Sequence, residues 1–427
     1  MKSSLSALEN TITTRLEQRA DNFTLRKLTT NPPGSIDFSS NDFLSLASSQ
    51  DLRTCFLQEL QSDPALAVNL GSGGSRLLDG NSTYAETLEQ DIASFHNAQS
   101  GLLCNSGFDA NTGLFSCLPQ RGDVIVYDEY IHASVHDGMR LSRARKTVPF
   151  THNSVHALRD VVKDCMREDA EVTMGSKNVF IAVEAVYSMD GDVAPLRDIV
   201  ALVKRLLPKG NGHIIVDEAH STGVFGPKGR GLVCELGLEK DITVRLHTFG
   251  KALACNGAIL LCSPTIRKYL INYARPMIYT TFMSYPALAA IRASYTWLMQ
   301  GRTEPLARNL LLLMQTLHER LLEMQASLRL PAHLQGLLRG PVTCPDSPIF
   351  AVLSSEPKVL AAHCQRHGFV VRGIVSPTVP EGTERVRVCL HAGNTVEQIE
   401  ALVECIRGWV VSRVHEVDGS LDVRPRL

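Results

Sequence analysis

Hydrophobic residues in the first two thirds of the chain form short continuous runs that alternate with helical patterns. The runs rich in β-branched residues lie at 124–126, 179–183, 213–216, 243–246 and 258–261. Unbroken apolar runs of this length are typical of strands buried on both faces, and helices between them place successive strands in parallel. The pattern therefore predicts an α/β fold with a mostly parallel central sheet flanked by helices.

The last third of the chain has a different pattern. Leucine and methionine recur every three or four residues from Leu306 to Leu328, which predicts a long amphipathic helix. Three strand candidates follow, at 349–353, 369–371 and 385–390. A final helix is expected from Thr395, where Gln398 completes a capping box, with Val396 on its buried face. This segment predicts a smaller α+β C-terminal domain.

The change of pattern divides the chain into three predicted parts: an N-terminal arm (1–50), a large domain (51–285) and a small C-terminal domain (286–427). The arm begins with a polar helix and then reaches a turn at Asn-Pro-Pro-Gly, residues 31–34. In the large domain, Thr83 and Glu86 have the spacing of a capping box at a helix start.

Charge and composition exclude several classes of function. The 427 residues carry 43 Lys and Arg against 44 Asp and Glu, a formal net charge of -1, whereas nucleic-acid binding needs a basic excess. No apolar run approaches the roughly 18 residues that span a membrane. The 11 cysteines include no C-x-x-C pair, so no metal site is predicted. We therefore expect small-molecule partners, with no nucleic acid and no membrane.

Polar residues that follow the strand-like runs are candidates for chemistry, because ligands of open α/β sheets bind at the carboxyl ends of the strands. Asp217 ends one run, and His220 follows three residues later. Lys251 follows another run, beside Gly250. Taken singly, each has an ordinary interpretation, since an aspartate can cap a loop and a lysine can lie on the surface.

A third set, residues 105–108, precedes a helix expected at 109–117, and backbone N–H groups at a helix start can bind an anion. Together the three sets have complementary chemistry. A desolvated lysine forms a Schiff base, a carboxylate pairs with a pyridinium nitrogen, and the helix start holds a phosphate. This combination predicts pyridoxal 5'-phosphate (PLP) as the cofactor.

Seven short segments extend this interpretation. They are Ser-Asn-Asp-Phe-Leu at 40–44, Gly-Ser-Gly-Gly-Ser-Arg at 71–76, Asn-Ser-Gly-Phe at 105–108, Val-Tyr-Ser-Met-Asp-Gly-Asp at 186–192, Asp-Glu-Ala-His at 217–220, Thr-Phe-Gly-Lys at 248–251 and Pro-Thr-Val-Pro at 377–380. With these segments the chain resembles the α-oxoamine synthases, a family of fold-type I PLP enzymes. The resemblance implies a PLP-dependent acyltransferase with the aminotransferase class I/II fold.

The resemblance also implies roles for four catalytic residues. Lys251 is expected to bind the cofactor aldehyde and later to move protons. Asp217 would pair with the pyridine nitrogen, and His220 would donate a hydrogen bond to the ring 3-oxygen. His132 would stack on the face of the ring, although alone it could equally be a core histidine.

Further cofactor and substrate contacts follow from the same resemblance. The remaining cofactor-binding residues are expected to be Gly107, Phe108, Ser188, Thr248 and Thr281. Thr281 would reach the phosphate of the partner subunit's cofactor, because members of the family are homodimers with sites at the interface. The expected substrate-binding residues are Arg26, Asn41, Ser75 and Arg372. For Asn41 and Ser75 a purely structural role is an equal alternative.

Two departures from the family pattern affect the substrate. Val375 stands where relatives carry the arginine that binds the amino-acid carboxylate, so we expect Arg26, with Arg372 as a second candidate, to take over this task. Phe282 stands where relatives have a small residue, which implies a differently shaped acyl channel.

The implied reaction is the decarboxylating condensation of an amino acid with an acyl-CoA, which gives an aminoketone, CoA and CO2. The chain is most similar to the members that use L-alanine and pimeloyl-CoA in biotin biosynthesis. Val375 and Phe282 keep open a family member with another amino acid or acyl donor, for example in secondary metabolism. The third alternative is a catalytically silent partner subunit, against which the intact Lys251 and Asp217 argue.

The last three residues bear on location. Pro425-Arg426-Leu427 resembles a peroxisomal signal of the S-K-L type in its basic residue followed by leucine. Proline is a poor first residue for such a signal. The basic residue followed by leucine still leads us to expect a peroxisomal location. The alternative is that the tail resembles the signal by chance and that the location is cytoplasmic.

Overall fold

A computed structural model describes residues 6–22, 24–328 and 330–421. The chain divides into two compact units, Met1–Ile36 and Asp37–Leu427. In the first unit, helix α1 (Ala7–Asp21) begins with a capping box, since Ser6 and Glu9 each accept the backbone N–H of the other. The predicted polar N-terminal helix is thus confirmed, whereas the three-part division at residues 50 and 285 stays a prediction.

The strands are short and fall into two groups along the chain. In chain order they are β1 (Ile36–Asp37), β2 (Ser100–Cys104), β3 (Val124–Asp128), β4 (Lys146–Phe150), β5 (Val179–Glu184), β6 (Gly212–Asp217), β7 (Val244–Thr248), β8 (Ala258–Cys262), β9 (Ile349–Leu353), β10 (Phe369–Val370), β11 (Arg372–Ile374) and β12 (Arg385–Cys389).

Helices separate most of the strands. After α1 they are α2 (Gln50–Ser62), α3 (Pro64–Val68), α4 (Thr83–Phe95), α5 (Gly107–Cys117), α6 (Ala133–Arg140), α7 (Val155–Glu168), α8 (Ala170–Met174), α9 (Leu196–Leu206), α10 (Leu232–Leu236), α11 (Pro264–Tyr273), α12 (Arg275–Tyr279), α13 (Tyr285–Met299), α14 (Glu304–Leu328), α15 (Pro357–Arg366) and α16 (Val396–Leu421). None of the helices in the described residues is long and apolar enough to cross a membrane.

Seven strands form the central sheet, in the order β2-β8-β7-β6-β5-β3-β4. The five strands from β7 to β4 in this order are parallel, so the predicted mostly parallel sheet is confirmed. The run at 258–261 is the exception, because β8 lies antiparallel to both of its neighbours. Residues 249–257, which link β7 to β8, are too few for the crossover helix that a parallel pair requires.

Core residues cover both faces of this sheet. In β6, Ile214 and Val216 pack with α7 and α9, whereas Ile215 between them packs with α5 and α6 on the other face. This is the alternation expected of a strand that is buried on both sides. The carboxyl ends of the parallel strands therefore all open at one edge, between the two helical layers.

The C-terminal segment holds a three-stranded antiparallel sheet in the order β11-β12-β9, with α15 against it and α16 packed on α14 and α15. The predicted α+β segment and the long helix α14 are confirmed. The capping box of α16 is also confirmed, because Thr395 and Gln398 exchange side-chain and backbone hydrogen bonds. The prediction for Val396 was wrong: it is 40% exposed, since the first turn of α16 faces solvent.

The capping box predicted at Thr83 and Glu86 was also wrong. Helix α4 is capped by Ser82, whose hydroxyl accepts the N–H of Ala85. Ser82 has an extended backbone, whereas Thr83 is already helical, so the cap lies one residue earlier than the pattern suggests. The Glu86 carboxylate instead accepts a hydrogen bond from Asn81.

Candidate active site

Three chain segments meet at the carboxyl edge of the central sheet. Asp217 is the last residue of β6, and Lys251 follows three residues after the end of β7. Gly107 is the first residue of α5, which begins just after β2. The strand ends thus bring together the candidate carboxylate, the lysine and the helix start, which are far apart in sequence.

Lys251 and His220 form the centre of the site. The Lys251 Nζ lies 2.9 Å from the His220 Nε2, and the His220 ring is buried with Phe43 beside it. Desolvation, together with the charge of Lys251, lowers the pKa of His220 well below its ordinary value, so this ring is neutral. Desolvation also lowers the pKa of Lys251, although Asp217 and Glu184 oppose this effect. The lysine amine is therefore closer to its nucleophilic neutral form than an exposed lysine.

Asp217 is held as a hydrogen-bond acceptor. Its Oδ2 accepts from Asn111 Nδ2 at 2.9 Å, and its Oδ1 accepts the backbone N–H of Ala219 at 3.0 Å. The Asn111 amide also donates to the Ser134 hydroxyl, which lies 2.7 Å from His132 Nδ1. A continuous hydrogen-bonded chain thus joins the buried carboxylate to the exposed His132 ring.

The start of α5 has the geometry of an anion site. Ser106 caps the helix by accepting the N–H of Asp109, which leaves the first N–H groups, those of Gly107 and Phe108, directed out of the helix end. A Cβ on Gly107 would lie 2.5 Å from the Thr248 Cγ2, so only glycine lets α5 approach the end of β7 this closely. The hydroxyl of Thr248 lies at the same junction.

Several buried polar atoms in this region have no hydrogen-bond partner among the described residues. They are His220 Nδ1, Thr248 Oγ1 and Ser75 Oγ. A buried polar atom without a partner is unfavourable by about 1–3 kcal/mol, and such atoms often mark ligand sites. An amine, a paired carboxylate, a neutral imidazole and an anion-binding helix start are the donor set that PLP needs, so the residues present fit this cofactor.

One arginine of the site was not among the predicted residues. The Arg387 guanidinium is buried. It donates hydrogen bonds to the Ser188 carbonyl oxygen at 2.6 Å and to Asn41 Oδ1 at 3.0 Å, and it forms no ion pair among the described residues. Its positive charge acts on both Lys251 and His220. A charged residue inside the apolar pattern of β12 was the signal that could have identified it.

Asn111, Ser134 and Glu184 were also missed. Asn111 is a polar residue on the apolar face of α5, four positions after Gly107. Glu184 ends β5 opposite Asp217, and desolvation together with the Asp217 charge raises its pKa well above the ordinary value. Asn111 and Glu184 are each a polar residue within an otherwise apolar sequence pattern, which is a weak signal without a structure.

The other predicted residues lie around this centre or apart from it. Asn41 and Ser188 contact Arg387, and the buried Ser75 lies in the segment whose Gly74 carbonyl accepts the N–H of Phe282. Phe282 itself is buried under the Arg76 guanidinium, 4.8 Å from the ring centroid. It is thus a packing residue in this structure.

Five predicted residues are exposed, namely Arg26, Phe108, His132, Thr281 and Arg372. Arg26 belongs to the first unit, so its contribution to the site stays a prediction. Arg372 is the cross-strand neighbour of Arg387 in the β11-β12 pair. The backbone carbonyl of Thr281 accepts from Asn105 at 2.6 Å, directly before the anion-binding helix start.

Comparison with known proteins adds independent findings. The family model for aminotransferase class I and II matches residues 33–406. The chain is 54% identical over 410 residues to an 8-amino-7-oxononanoate synthase from Emericella nidulans, covering 96% of this chain and 98% of the relative. It is 41% identical over 384 residues to the aminoacyl transferase sphA of Byssochlamys spectabilis, covering 88% and 81%. A solved structure of SPT with PLP superposes with a TM-score of 0.80 at 25% identity, covering 96% and 99%.

Proposed function

The chain belongs to the aminotransferase class I and II family, and on this premise we propose that it catalyses the decarboxylating condensation of L-alanine with pimeloyl-CoA, as in biotin biosynthesis. It is a PLP-dependent acyltransferase of fold-type I. The observation that carries the proposal is the pairing of Lys251 with a neutral His220 beside Asp217, in a chain so similar to a synthase of this reaction.

PLP, when bound, supplies the aldehyde that captures the amino acid and the electron sink that stabilises negative charge at its Cα. Lys251 Nζ would hold that aldehyde and then remove and return the Cα proton, a role that its lowered pKa favours. Asp217, fixed by Asn111 and Ala219, would hold a proton on the pyridine nitrogen. The α5 start and Thr248 would hold the phosphate.

Arg387 supports an amino-acid substrate. Because its guanidinium is buried and has only neutral oxygens as partners, an incoming carboxylate would give it the charged, planar partner that it lacks. We therefore assign the carboxylate contact to Arg387, in place of the family arginine that is valine at position 375. Release of CO2 from the condensation product would follow at the same side of the site.

A panel of substrates tests the reaction. The PLP-loaded protein is given alanine, glycine or serine with pimeloyl-CoA or palmitoyl-CoA, and the release of CoA is measured. We expect alanine with pimeloyl-CoA to give the highest kcat/KM. Lys251→Ala should abolish CoA release, whereas Lys268→Ala, which removes an exposed lysine on α11, should not. Equal CoA release by wild type and Lys251→Ala would contradict the proposal.

A second candidate function rests on the relative sphA and on the structural similarity to SPT. Together with Val375, these similarities favour a synthase that uses another amino acid and a longer acyl donor. The same panel separates the two, because serine with palmitoyl-CoA would then exceed alanine with pimeloyl-CoA.

We further propose a homodimer with sites at the interface and a peroxisomal location. The dimer is supported by the resemblance to the α-oxoamine synthases and by the exposed Thr281 next to the anion site. The location is supported only by Pro425-Arg426-Leu427, which lies outside the described residues. A fusion in which a fluorescent protein precedes the C-terminal residues 425–427 should enter peroxisomes. The same fusion without these three residues should stay in the cytoplasm.

A further inference from the structure

Two histidines and a cysteine come together where α15 packs against α16, on helices that supply none of the residues of the active site. His363 and the helix-capping His367 lie four residues apart, on one face of α15, with ring centroids 4.3 Å apart. Cys405 faces them from α16. One nitrogen of each ring and the cysteine sulfur all lie within 4.8 Å of one another.

The tautomer of His367 is fixed by its backbone contact. Its Nδ1 lies 2.9 Å from the His363 carbonyl oxygen, and because a carbonyl can only accept, Nδ1 carries the hydrogen. The Nε2 of the same ring therefore keeps its lone pair. A ring nitrogen held to a backbone carbonyl while the other nitrogen is free is the usual arrangement of histidines that bind metal ions.

The cluster is open on one side. His363 and Cys405 are partly buried, whereas His367 is exposed, so an ion can enter from solvent without rearrangement of the helices. The buried Cys364 is a hydrogen-bond partner of the Cys405 sulfur and anchors that side chain. The protein thus holds the thiol in position beside the two rings.

We propose that His363, His367 and Cys405 bind a divalent transition-metal ion of the zinc class. Two imidazole nitrogens and a thiolate are ligands that Zn²⁺ prefers, whereas Mg²⁺ and Ca²⁺ require oxygen ligands. Tetrahedral bonds of about 2.0–2.3 Å place ligand atoms about 3.5 Å apart, which small side-chain rotations achieve here. The Cys405 thiol loses its proton to solvent as the sulfur–metal bond forms, and water occupies the fourth position.

The ion would join α15 to α16 without any part in the chemistry at Lys251. Because it binds the folded chain and not the unfolded one, it would stabilise the C-terminal segment by mass action. This site was not predicted from the sequence, because Cys405 follows His367 by 38 residues. Only the packing of α16 against α15 brings it to the H-x-x-x-H pair.

Cobalt provides the test, because Co²⁺ occupies zinc sites and its bonds to thiolate absorb visible light. The PLP-loaded protein, kept reduced so that Cys364 and Cys405 remain thiols, is titrated with Co²⁺ and then with Zn²⁺ in competition. We expect one ion per chain with a thiolate absorption band that Zn²⁺ removes. His367→Ala and Cys405→Ser should each weaken binding by more than about 100-fold, the upper end of the effect of losing an outer-shell partner.

Matched variants elsewhere control for the other histidines and cysteines. His156→Ala removes an exposed histidine from α7, and Cys344→Ser removes a partly buried thiol, and neither should change the titration. Zn²⁺ should also raise the Tm of the wild type but not of His367→Ala, a surface change that leaves the fold intact. A wild type without the thiolate band, or a band that survives in Cys405→Ser, would overturn the proposal.

Discussion

Arg387 shows how one buried charge can define the substrate. A guanidinium that has lost water needs a planar anion to offset the desolvation, and the partners of Arg387 in the chain are two carbonyl oxygens and one amide oxygen. The neighbouring Arg372 lies opposite Arg387 in the sheet but is exposed. Exposure therefore separates the two candidates for the carboxylate.

The first prediction compares these two arginines. Arg387→Ala should raise the KM for the amino acid by roughly 10–100-fold, because a charge-assisted hydrogen bond contributes about 1.5–3 kcal/mol. The amount of PLP bound per chain should be unchanged, which distinguishes lost substrate binding from a damaged site. Arg372→Ala is the matched control, and an equal rise in KM for both variants would contradict the assignment to Arg387.

His152 is a second residue whose charge the structure determines. It lies between two carboxylates, with Nδ1 2.8 Å from Asp128 and Nε2 2.7 Å from Asp192, and it stacks on Tyr130. Burial opposes the charged ring, but the hydrogen bonds to Asp128 and Asp192 outweigh it and raise the pKa of His152 to about 10. A charged His152 thus links the end of β3 to the loop that carries Ser188 and Asp192.

The second prediction is a dependence of stability on pH. Because the folded pKa of His152 exceeds the ordinary value of about 6.5, its stabilisation is complete below that pH and is lost as the pH rises through about 10. His152→Leu should lower the free energy of unfolding by about 1–3 kcal/mol at pH 6, measured in urea, and by less at pH 10. His156→Leu, at an exposed position, should show no such difference, and a gap that widens with pH would contradict the argument.

At the scale of elements, the close approach of α5 to β7 forms the proposed anion site. Helix α5 begins directly at the sheet edge because Gly107 leaves room for the Thr248 methyl group. The helix start and the strand end are then close enough to act on one phosphate. A second glycine, Gly408 in α16, has no neighbouring atom in the space of a Cβ.

The third prediction uses these two glycines. Gly107→Ala should destabilise the protein by about 1–3 kcal/mol through overpacking against Thr248, and it should weaken PLP binding. Gly408→Ala, the same change at an exposed position of α16, should stabilise by about 0.5–1 kcal/mol and leave PLP binding unchanged. Urea unfolding and PLP titration measure both effects. Unchanged PLP affinity in Gly107→Ala would argue against the anion site.

At the scale of the whole molecule, two different sheets contribute residues to the candidate active site. The central sheet brings Asp217 and Lys251 to one edge, and β12 of the antiparallel sheet delivers Arg387 to the same place. Charged residues thus enter the site from two sheets. A partner subunit would add Thr281 as a further contact under the proposed dimer.

The fourth prediction tests whether the site is shared between subunits. In a mixed dimer of Lys251→Ala and Thr281→Ala subunits, one site carries both changes and the other carries neither if Thr281 acts across the interface. We therefore expect such a dimer, isolated with two different tags, to recover about half of the wild-type CoA release. Activity no higher than that of the Thr281→Ala homodimer would contradict a shared site.

The sequence by itself determined the periodic features. Unbroken apolar runs identified the buried parallel strands, the leucine repeat identified α14, and local polar signals identified the caps of α16. These features depend on residues near each other in the chain, so their pattern is visible without a fold. The same holds for Asp217 and Lys251, because strand ends are visible in the pattern.

Only the tertiary structure decided which distant residues meet. The direction of β8 follows from how its link closes, the burial of Arg387 follows from the packing of two sheets, and the approach of His363 to Cys405 follows from a helix–helix contact. None of these leaves a periodic trace, because a side chain's environment is set by elements that lie far away in sequence. The charge, exposure and arrangement of the side chains at the site therefore depend on tertiary packing. The helices and strands that carry these side chains follow from the local sequence pattern.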